Sequence, residues 1–265
     1  MDTSDASFKI PVPHPTSRIY LTPPRREDDD VVIAALNDPR VYMNLSSPPY
    51  PYTSDDRRSW FAHIEKIAQH NAFGIGQFKK QPYLVSGAQA GGAVPWLGEV
   101  GWAATIREIV AEADGNERYL GEITVSRSGF LFVLDVAERE KARLENDNLR
   151  AGDPNIVWEV GFYLVPEHHG RGVMPKVLET VIREILLPLF NAQNIVATYF
   201  EHNIASKKVF AKCGFEYVTT IPDAYTLEPS KTGGQEGQTI GLGVIKWEDR
   251  GAARAREDRA NGTHY

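Results

Sequence analysis

The sequence predicts an α/β (α+β) protein with a mixed central β-sheet flanked by helices. From Ile156 onward, apolar strand-like runs alternate with amphipathic helical stretches, and the segment lengths suit strand-helix-strand-helix. Glycine and proline punctuate nearly every junction between them. A hydrophobic share of 42% in 265 residues is enough to bury a sizeable core.

Taken in order, Arg18–Thr22 reads as a first strand, and helical patterning runs from Asp29 to Leu36 until Asn37-Asp38-Pro39 stops it. Ser46–Tyr52 is a proline and tyrosine loop. Thr53 or Ser54 then caps a helix carrying Trp60, Phe61, Ile64 and Ile67 at helical spacing. Gln81–Gly98, rich in glycine and alanine, reads as an insertion without clear structure. Val100–Ile106 and Tyr119–Val125 are expected to pair antiparallel, with Asp114-Gly115-Asn116 near their turn. Leu134–Asn155 is a charged second insertion, a helix or flexible excursion, whose simplest reading is a solvated face.

Ile156–Val165 is a strong strand stopped by Pro166. A helix from Val173 to Leu187 aligns Met174, Leu178, Val181 and Ile185 on one stripe. Asn194–Tyr199 is the next strand, and Asn203 caps a helix to Cys213. Gly214 is placed to end that helix in a left-handed conformation, with Phe215 packing back. Glu216–Ile221 and Thr239–Trp247 complete the strands. One domain is expected over 18–248, between flexible ends at 1–17 and 249–265.

The net charge of −6 gives no reason for bulk attraction to nucleic acid or to an anionic membrane, and suits a cationic substrate. A single cysteine, Cys213, excludes an intrachain disulfide and reads as a small buried hydrophobe. No apolar run nears the roughly 20 residues of a membrane span. Met1–Pro15 lacks the apolar stretch of a signal peptide, so a soluble cytoplasmic protein is expected.

The chemistry concentrates in the loop His168-His169-Gly170-Arg171-Gly172. Two glycines let the backbone turn tightly, and the unpaired N–H groups at the helix start, around Gly172–Met174, face an incoming anion. Arg171 can add a direct charge. Neither G-x-x-x-x-G-K-[ST] nor G-x-G-x-x-G with a later acid is present, though another α/β nucleotide-binding enzyme could use such a loop. His168 and His169, being adjacent, cannot chelate a metal easily, and no third ligand lies at useful spacing.

Alternation puts Glu159 on one strand face with Gly161 and Tyr163, opposite Trp158, Val160 and Phe162. A carboxylate in so apolar a run is either a general base for an ammonium substrate or the partner of a neighbouring cation. Backbone N–H groups of Tyr163, Leu164 and Val165 could hold a carbonyl oxygen if a bulge or splay, eased by Gly161, freed them from the ladder.

WEVGFYLVPEHHGRGVMPKVLETVI and NIVATYFEHNIASKKVFAKCGFEYV together resemble the GNAT superfamily of acetyl-coenzyme A-dependent N-acetyltransferases. N-x-x-S-x-x-V-F-x-x-x-G-F, from Asn203 to Phe215, is similar to the RimJ/RimL branch, as is the opening from Arg18. The resemblance spans Arg18–Glu248 with two insertions and implies the GNAT fold. It places the phosphate motif Q/R-x-x-G-x-G/A on His169, Gly170, Arg171, Gly172, Val173 and Met174. His169 and Met174 depart from it, and Met174 sets a bulky side chain where the family keeps bare backbone. The implied cosubstrate is acetyl-CoA, without a metal. Its acceptor would be an amine, of a small molecule or a protein N-terminus, attacking directly in a ternary complex. By the same resemblance Asn203 lies near the pantetheine arm and Ser206 near the thioester sulfur. Phe210 stands where many relatives carry a proton-donating Tyr, which leaves Ser206 as the donor. Glu159 fits the base, while Tyr50, Tyr52 and Trp60 would line the acceptor pocket. The alternative is a catalytically weak or inactive coenzyme A-binding or protein-interaction module.

Overall fold

Among the described residues eight strands, numbered β1 to β8 in chain order, line up in one sheet, in the order β1-β2-β3-β4-β5-β6-β8-β7. The computed structural model describes residues 8–80, 96–111 and 116–248, the side chains of 77–80 and 111 excepted. Strand β1 (Ile10–Val12) pairs with β2 (Arg18–Thr22), followed by β3 (Trp102–Ala111), β4 (Asn116–Arg127) and β5 (Val157–Leu164). Next come β6 (Asn194–Phe200), β8 (Thr239–Glu248) and, at the far edge, β7 (Glu216–Thr226). All pairs are antiparallel except β5–β6.

The N-terminal segment departs from the flexible reading over its described part. Phe8 and Val12 are buried in the main core, and Ile10–Val12 adds a strand to β2. Two core-forming side chains, each two positions from Ile10, suffice to dock it, because burial outweighs the order imposed on a few residues. Residues 81–95, 112–115 and 249–265, which hold most of the first insertion, two residues of the expected turn and the C-terminal tail, lie outside the described residues.

Helix α1 (Asp29–Leu36) ends where Asn37 was expected to stop it, and Pro39 restarts the chain as the single turn α2 (Pro39–Tyr42). The Asn37 side chain then staples the following loop, donating to the Tyr52 carbonyl and accepting from the Tyr52 N–H, both at 2.8 Å. Helix α3 (Ser54–Lys80) opens on a reciprocal cap: Thr53 N–H donates to Asp56 and Asp56 N–H to the Thr53 hydroxyl. Phe61, Ile64, Ala68, Ala72 and Ile75 form its buried stripe, whereas Trp60 lies toward solvent.

The second insertion contains helix α4 (Val136–Asp147), tied down at its end by Asn146, which clamps both backbone groups of Val157. Helix α5 (Val173–Thr180) runs on through a wider π-type turn at Val181–Leu186 into α6 (Leu187–Phe190). Pro188 has no N–H to give and crowds the preceding turn, and the widened turn accommodates it. Helix α7 (Ile204–Lys212) starts on Asn203, whose side chain accepts from the Ser206 N–H. It ends at Gly214, with φ of 85°.

The two faces of the sheet differ. On one, Trp102, Ala104, Ile106, Ile123, Val125, Trp158 and Val160 join the α5 side chains Val173, Met174, Val177 and Leu178 in the main core. On the other, the register sets Thr105 beside Glu122, Glu122 beside Tyr163, Thr124 beside Gly161, and Ser126 beside Glu159. Among the described residues no helix is long and apolar enough to cross a membrane.

Candidate active site

The parallel β5–β6 ladder runs only from Val157↔Asn194 to Glu159↔Val196, after which the two strands part. On its other side β5 stays paired with β4 as far as Leu164. Ser128 N–H donates to the Val157 carbonyl and Val165 N–H to the Leu120 carbonyl, both at 2.8 Å. Antiparallel pairing therefore turns the odd-numbered β5 residues toward β4 and the even-numbered ones toward the gap. Phe162 and Leu164 thus present backbone N–H groups to the splay. Of the expected trio only Leu164 does so: the Val165 N–H is spent on Leu120, and the Tyr163 N–H points the same way. Spacing alone carried no parity, so Phe162 was missed.

Beyond the splay lies the glycine loop. Gly170 and Gly172 have φ of 74° and 77°, the left-handed region that favours glycine. A Cβ at Gly170 would meet nothing within 4 Å, and one at Gly172 only His14 Nε2 at 3.9 Å, so there is space above both. Gly172 caps α5 without a side-chain acceptor, which leaves the first-turn N–H groups of Val173 and Met174 open to an anion. The Met174 side chain is buried in the main core and does not stand over the loop.

Arg171 does not point to that anion position. Its guanidinium binds the Glu108 carboxylate through both Nη atoms, the Ser17 hydroxyl at 3.0 Å and His168 Nδ1 at 3.0 Å. Its carbonyl meets His14 Nε2 at 3.0 Å. The Arg171 guanidinium holds the Glu108 carboxyl below the usual carboxylate range. Burial, with Arg171 alongside, pushes the His168 imidazole down and keeps it a neutral acceptor. His169 turns its Nε2–H back to the Leu164 carbonyl at 2.9 Å, closing the last carbonyl that faces the gap. These ties fix the loop from below while its backbone stays open above.

Among the described residues, the polar face of β4, β5 and β6 is left open at the centre of the sheet, where packing would normally hide it. Ser126 and Gly161 are exposed, and Thr124, Glu159 and Thr198 are half-buried. A Cβ on Gly161 would touch only Thr124 Oγ1, at 3.6 Å. This trough is floored by small and polar groups next to the splay. Glu159 lies in it, but its carboxylate accepts from the Ser128 hydroxyl (3.0 Å), the Gly129 N–H (3.2 Å) and the Thr198 hydroxyl (3.4 Å). These three donors occupy the carboxylate and turn it toward the start of the segment after β4.

A second carboxylate, Glu122, flanks the trough on β4. It is only 4% exposed and pairs with Arg57, 1% exposed, at 3.2 Å; Arg57 also binds Asp29 at 2.7 Å. Burial raises the Glu122 carboxyl, opposed by Arg57 and by hydrogen bonds from Trp60 and Tyr119. The Tyr119 and Tyr163 hydroxyls meet at 2.6 Å. The Tyr52 hydroxyl, Arg57 Nη2 and Thr105 Oγ1 are buried there without a partner among the described residues, and burial pushes Tyr52 up to about 12. Tyr52 and Trp60 therefore gather at Glu122, while Tyr50 stacks on Tyr42 at 4.0 Å in the adjoining loop.

On the α7 side, Phe210 closes the splay by packing on Phe162 at 5.2 Å and Phe215 at 5.0 Å. Ser206 is half-buried in the first turn, with its N–H held by Asn203 at 3.0 Å. Tyr225 donates to the Ser46 carbonyl and Lys231 to the Leu45 carbonyl, so the β7–β8 arm holds down the loop that follows α2. No group of three His, Cys, Asp or Glu residues among those described is arranged to hold a metal ion.

The architecture has known counterparts. Mycobacterium smegmatis RimJ in complex with CoA-disulfide superposes with a TM-score of 0.55 at 12% identity, over 97% of this chain and 94% of that one. The MccE self-immunity acetyltransferase in complex with acetyl-CoA and AMP gives 0.51 at 12% identity, over 89% and 94%. A GNAT-family acetyltransferase from Bacillus anthracis gives 0.51 at 12% identity, over 91% and 98%. No curated protein sequence matches the chain. Residues 18–216 match the acetyltransferase (GNAT) domain. Most of the chain lies within that match, and on that ground it belongs to the GNAT family of acetyltransferases.

Proposed function

We propose that this protein transfers an acetyl group from acetyl-CoA to an amine, of a small molecule or a protein N-terminus, by direct attack with both substrates bound. The observation that carries the reading is the splay of β5 from β6, with the Phe162 and Leu164 N–H groups turned toward it and a helix start without a side-chain cap at its mouth. The loop fits a pyrophosphate: Gly170 and Gly172 leave room, and the Val173 and Met174 N–H groups would receive its oxygens. Bound acetyl-CoA supplies the activated acetyl group as a thioester. The Phe162 and Leu164 N–H groups would hold the carbonyl oxygen as negative charge develops on it. Asn203 sits on the pantetheine side, and the Ser206 hydroxyl would give a proton to the departing sulfur.

An alkyl ammonium, with a pKa of about 8 to 10.4, must lose a proton before it attacks. Glu122 is the stronger candidate to accept it, because burial makes its carboxylate more basic, whereas the Glu159 carboxylate is already engaged by Ser128, Gly129 and Thr198.

The test is thiol release from acetyl-CoA with a panel of amines, after thermal-shift titration with acetyl-CoA, CoA, ATP and NAD. Stabilisation by the two coenzyme A species alone, followed by amine-dependent release, is expected. E122Q should lower kcat on the order of 100-fold and shift the acid limb of its pH profile. S206A should lower kcat with coenzyme A affinity unchanged. A shift with coenzyme A but no release with any amine would favour a non-catalytic binding module.

A further inference from the structure

The N-terminal segment reaches the glycine loop. From Phe8 to His14 burial alternates: Phe8 and Val12 are buried, Ile10 and His14 half-buried, and Lys9, Pro11 and Pro13 exposed. That alternation continues β1 past Val12 and puts His14 on its inward side. Pro13 and Pro15 flank His14; Pro13 has a fixed φ and Pro15 biases the residue before it toward extended backbone, so the ring is presented with little freedom. Phe8 packs on Trp102 at 5.0 Å, and Phe8 and Val12 share the main core with Val173 and Met174, the first two residues of α5.

This segment grips Arg171 at both ends. The guanidinium donates to the Ser17 hydroxyl at 3.0 Å, and the carbonyl accepts from His14 Nε2 at 3.0 Å. A carbonyl can only accept, so Nε2 carries a hydrogen. The other ring nitrogen, Nδ1, is buried without a partner among the described residues, so the Arg171 carbonyl is the polar contact that orients the ring. Nε2 also lies 3.9 Å from where Gly172 would carry a Cβ.

In a planar trans peptide the carbonyl and the next N–H point in opposite directions. Holding the Arg171 carbonyl against His14 therefore turns the Gly172 N–H away from the ring. Gly172 is left-handed, with φ of 77° and ψ of 9°, and Val173 is helical. A left-handed residue followed by a right-handed one makes successive N–H groups converge on one anion-binding concavity, here those of Gly172, Val173 and Met174. Glycine adopts either sign of φ with ease, so Gly172 itself does not stop this peptide from flipping. A flipped peptide would set a carbonyl oxygen in the concavity, against the charge of an incoming anion.

We infer that His14 is a positioning residue for the coenzyme A pyrophosphate, latching the Arg171 carbonyl so that the Gly172 N–H stays turned toward the anion. The inference rests on the proposed acetyl-CoA binding. It makes the N-terminal segment part of the cosubstrate site and adds a third backbone N–H to that site. His14 does not touch the reacting atoms, so its effect falls on cosubstrate binding and not on the chemical step.

Three variants of the full chain separate the latch from simple packing. H14Q keeps an N–H at the reach of Nε2, H14M keeps the bulk without a hydrogen-bond donor, and H14A removes both. His14 is half-buried at the surface, so all three should fold. In calorimetric titrations with CoA, H14M and H14A should each raise Kd about tenfold, whereas H14Q should stay within about twofold of the wild type. In thiol-release assays KM for acetyl-CoA should rise by a like factor with kcat unchanged. S-acetylpantetheine has no pyrophosphate, and its kcat/KM should not move in any variant. Wild-type affinity in H14M, or a loss in H14Q equal to that in H14M, would overturn the latch while CoA binding stands. An equal loss with S-acetylpantetheine would also overturn it, since the effect would then lie away from the pyrophosphate. No binding of CoA by the wild type would overturn the proposed function along with it.

Discussion

Replacing Arg57 with Met would expose how the trough wall is balanced. Arg57 sits 1% exposed between Asp29 and Glu122, at 2.7 and 3.2 Å, with its guanidinium 5.2 Å from the Phe61 ring. Methionine fills much of the same space, so cavity formation contributes little. Asp29 retains partial contact with water, its side chain being 32% exposed, and can rehydrate; Glu122, at 6%, cannot. Stranding one member of a buried pair costs about 3–5 kcal/mol. The Glu122 carboxyl can escape by taking up a proton, and its pKa, already raised by burial, rises further once Arg57 is gone. The folded variant then binds one more proton than the unfolded chain, so its stability falls by about 1.4 kcal/mol per pH unit as pH rises. Urea denaturation of R57M is expected to show a loss of about 3–5 kcal/mol at pH 8, smaller by up to about 2.7 kcal/mol at pH 6. R57M/E122Q should recover most of the deficit, since no charge is left stranded. A loss below about 1 kcal/mol at pH 8, no dependence on pH, or a double variant no better than R57M would refute this account of the pair.

Three further outcomes can be checked alongside it. Arg171 holds the Glu108 carboxyl below its ordinary value of 4.5, so the pair stabilises the fold above that pH and is lost as pH falls through the lowered value. E108Q should therefore lose about 1–2 kcal/mol at neutral pH and show a flatter acid limb in a thermal-midpoint titration. Burial pushes the Cys213 thiol up to about 11, which leaves roughly a thousandth as thiolate at pH 8; a disulfide reagent should react with it far more slowly in the folded protein than in urea. G243A would set a Cβ 2.3 Å from the Tyr199 ring and should cost about 1–3 kcal/mol by denaturant titration.

The glycine loop, the helix it opens and the Asn203 cap could be read from the sequence because each depends on neighbours within a few positions. The splay itself was foreseen only as a need, with Gly161 as its hint. Which N–H groups it frees depends on the pairing of β5 with β4, and no local pattern carries that parity. Arg171 read as an anion ligand because its partner, Glu108, lies 63 residues away on β3. Glu122 was within reach: it interrupts an alternating strand just as Glu159 does, and the argument applied to one carboxylate applies to the other. Arg57, which makes its burial tolerable, could not be found without the fold. Docking of Phe8–Val12 escaped notice because three strand residues among prolines give almost no periodicity.

The two borders of the sheet bear on how copies of this chain meet at high concentration. An outermost strand is a template for another chain, since its outward backbone groups are unpaired. Here β1 is three residues long with Pro11 at its centre, which offers no N–H to a newcomer. Across the sheet β7 is eleven residues long and exposes Tyr217 and Val218, but Pro222 and the irregular pairing between Ile221 and Tyr225 interrupt it halfway. Both rims are thus broken at the backbone, and fibrillar growth by strand addition is denied a long, straight seam at either end.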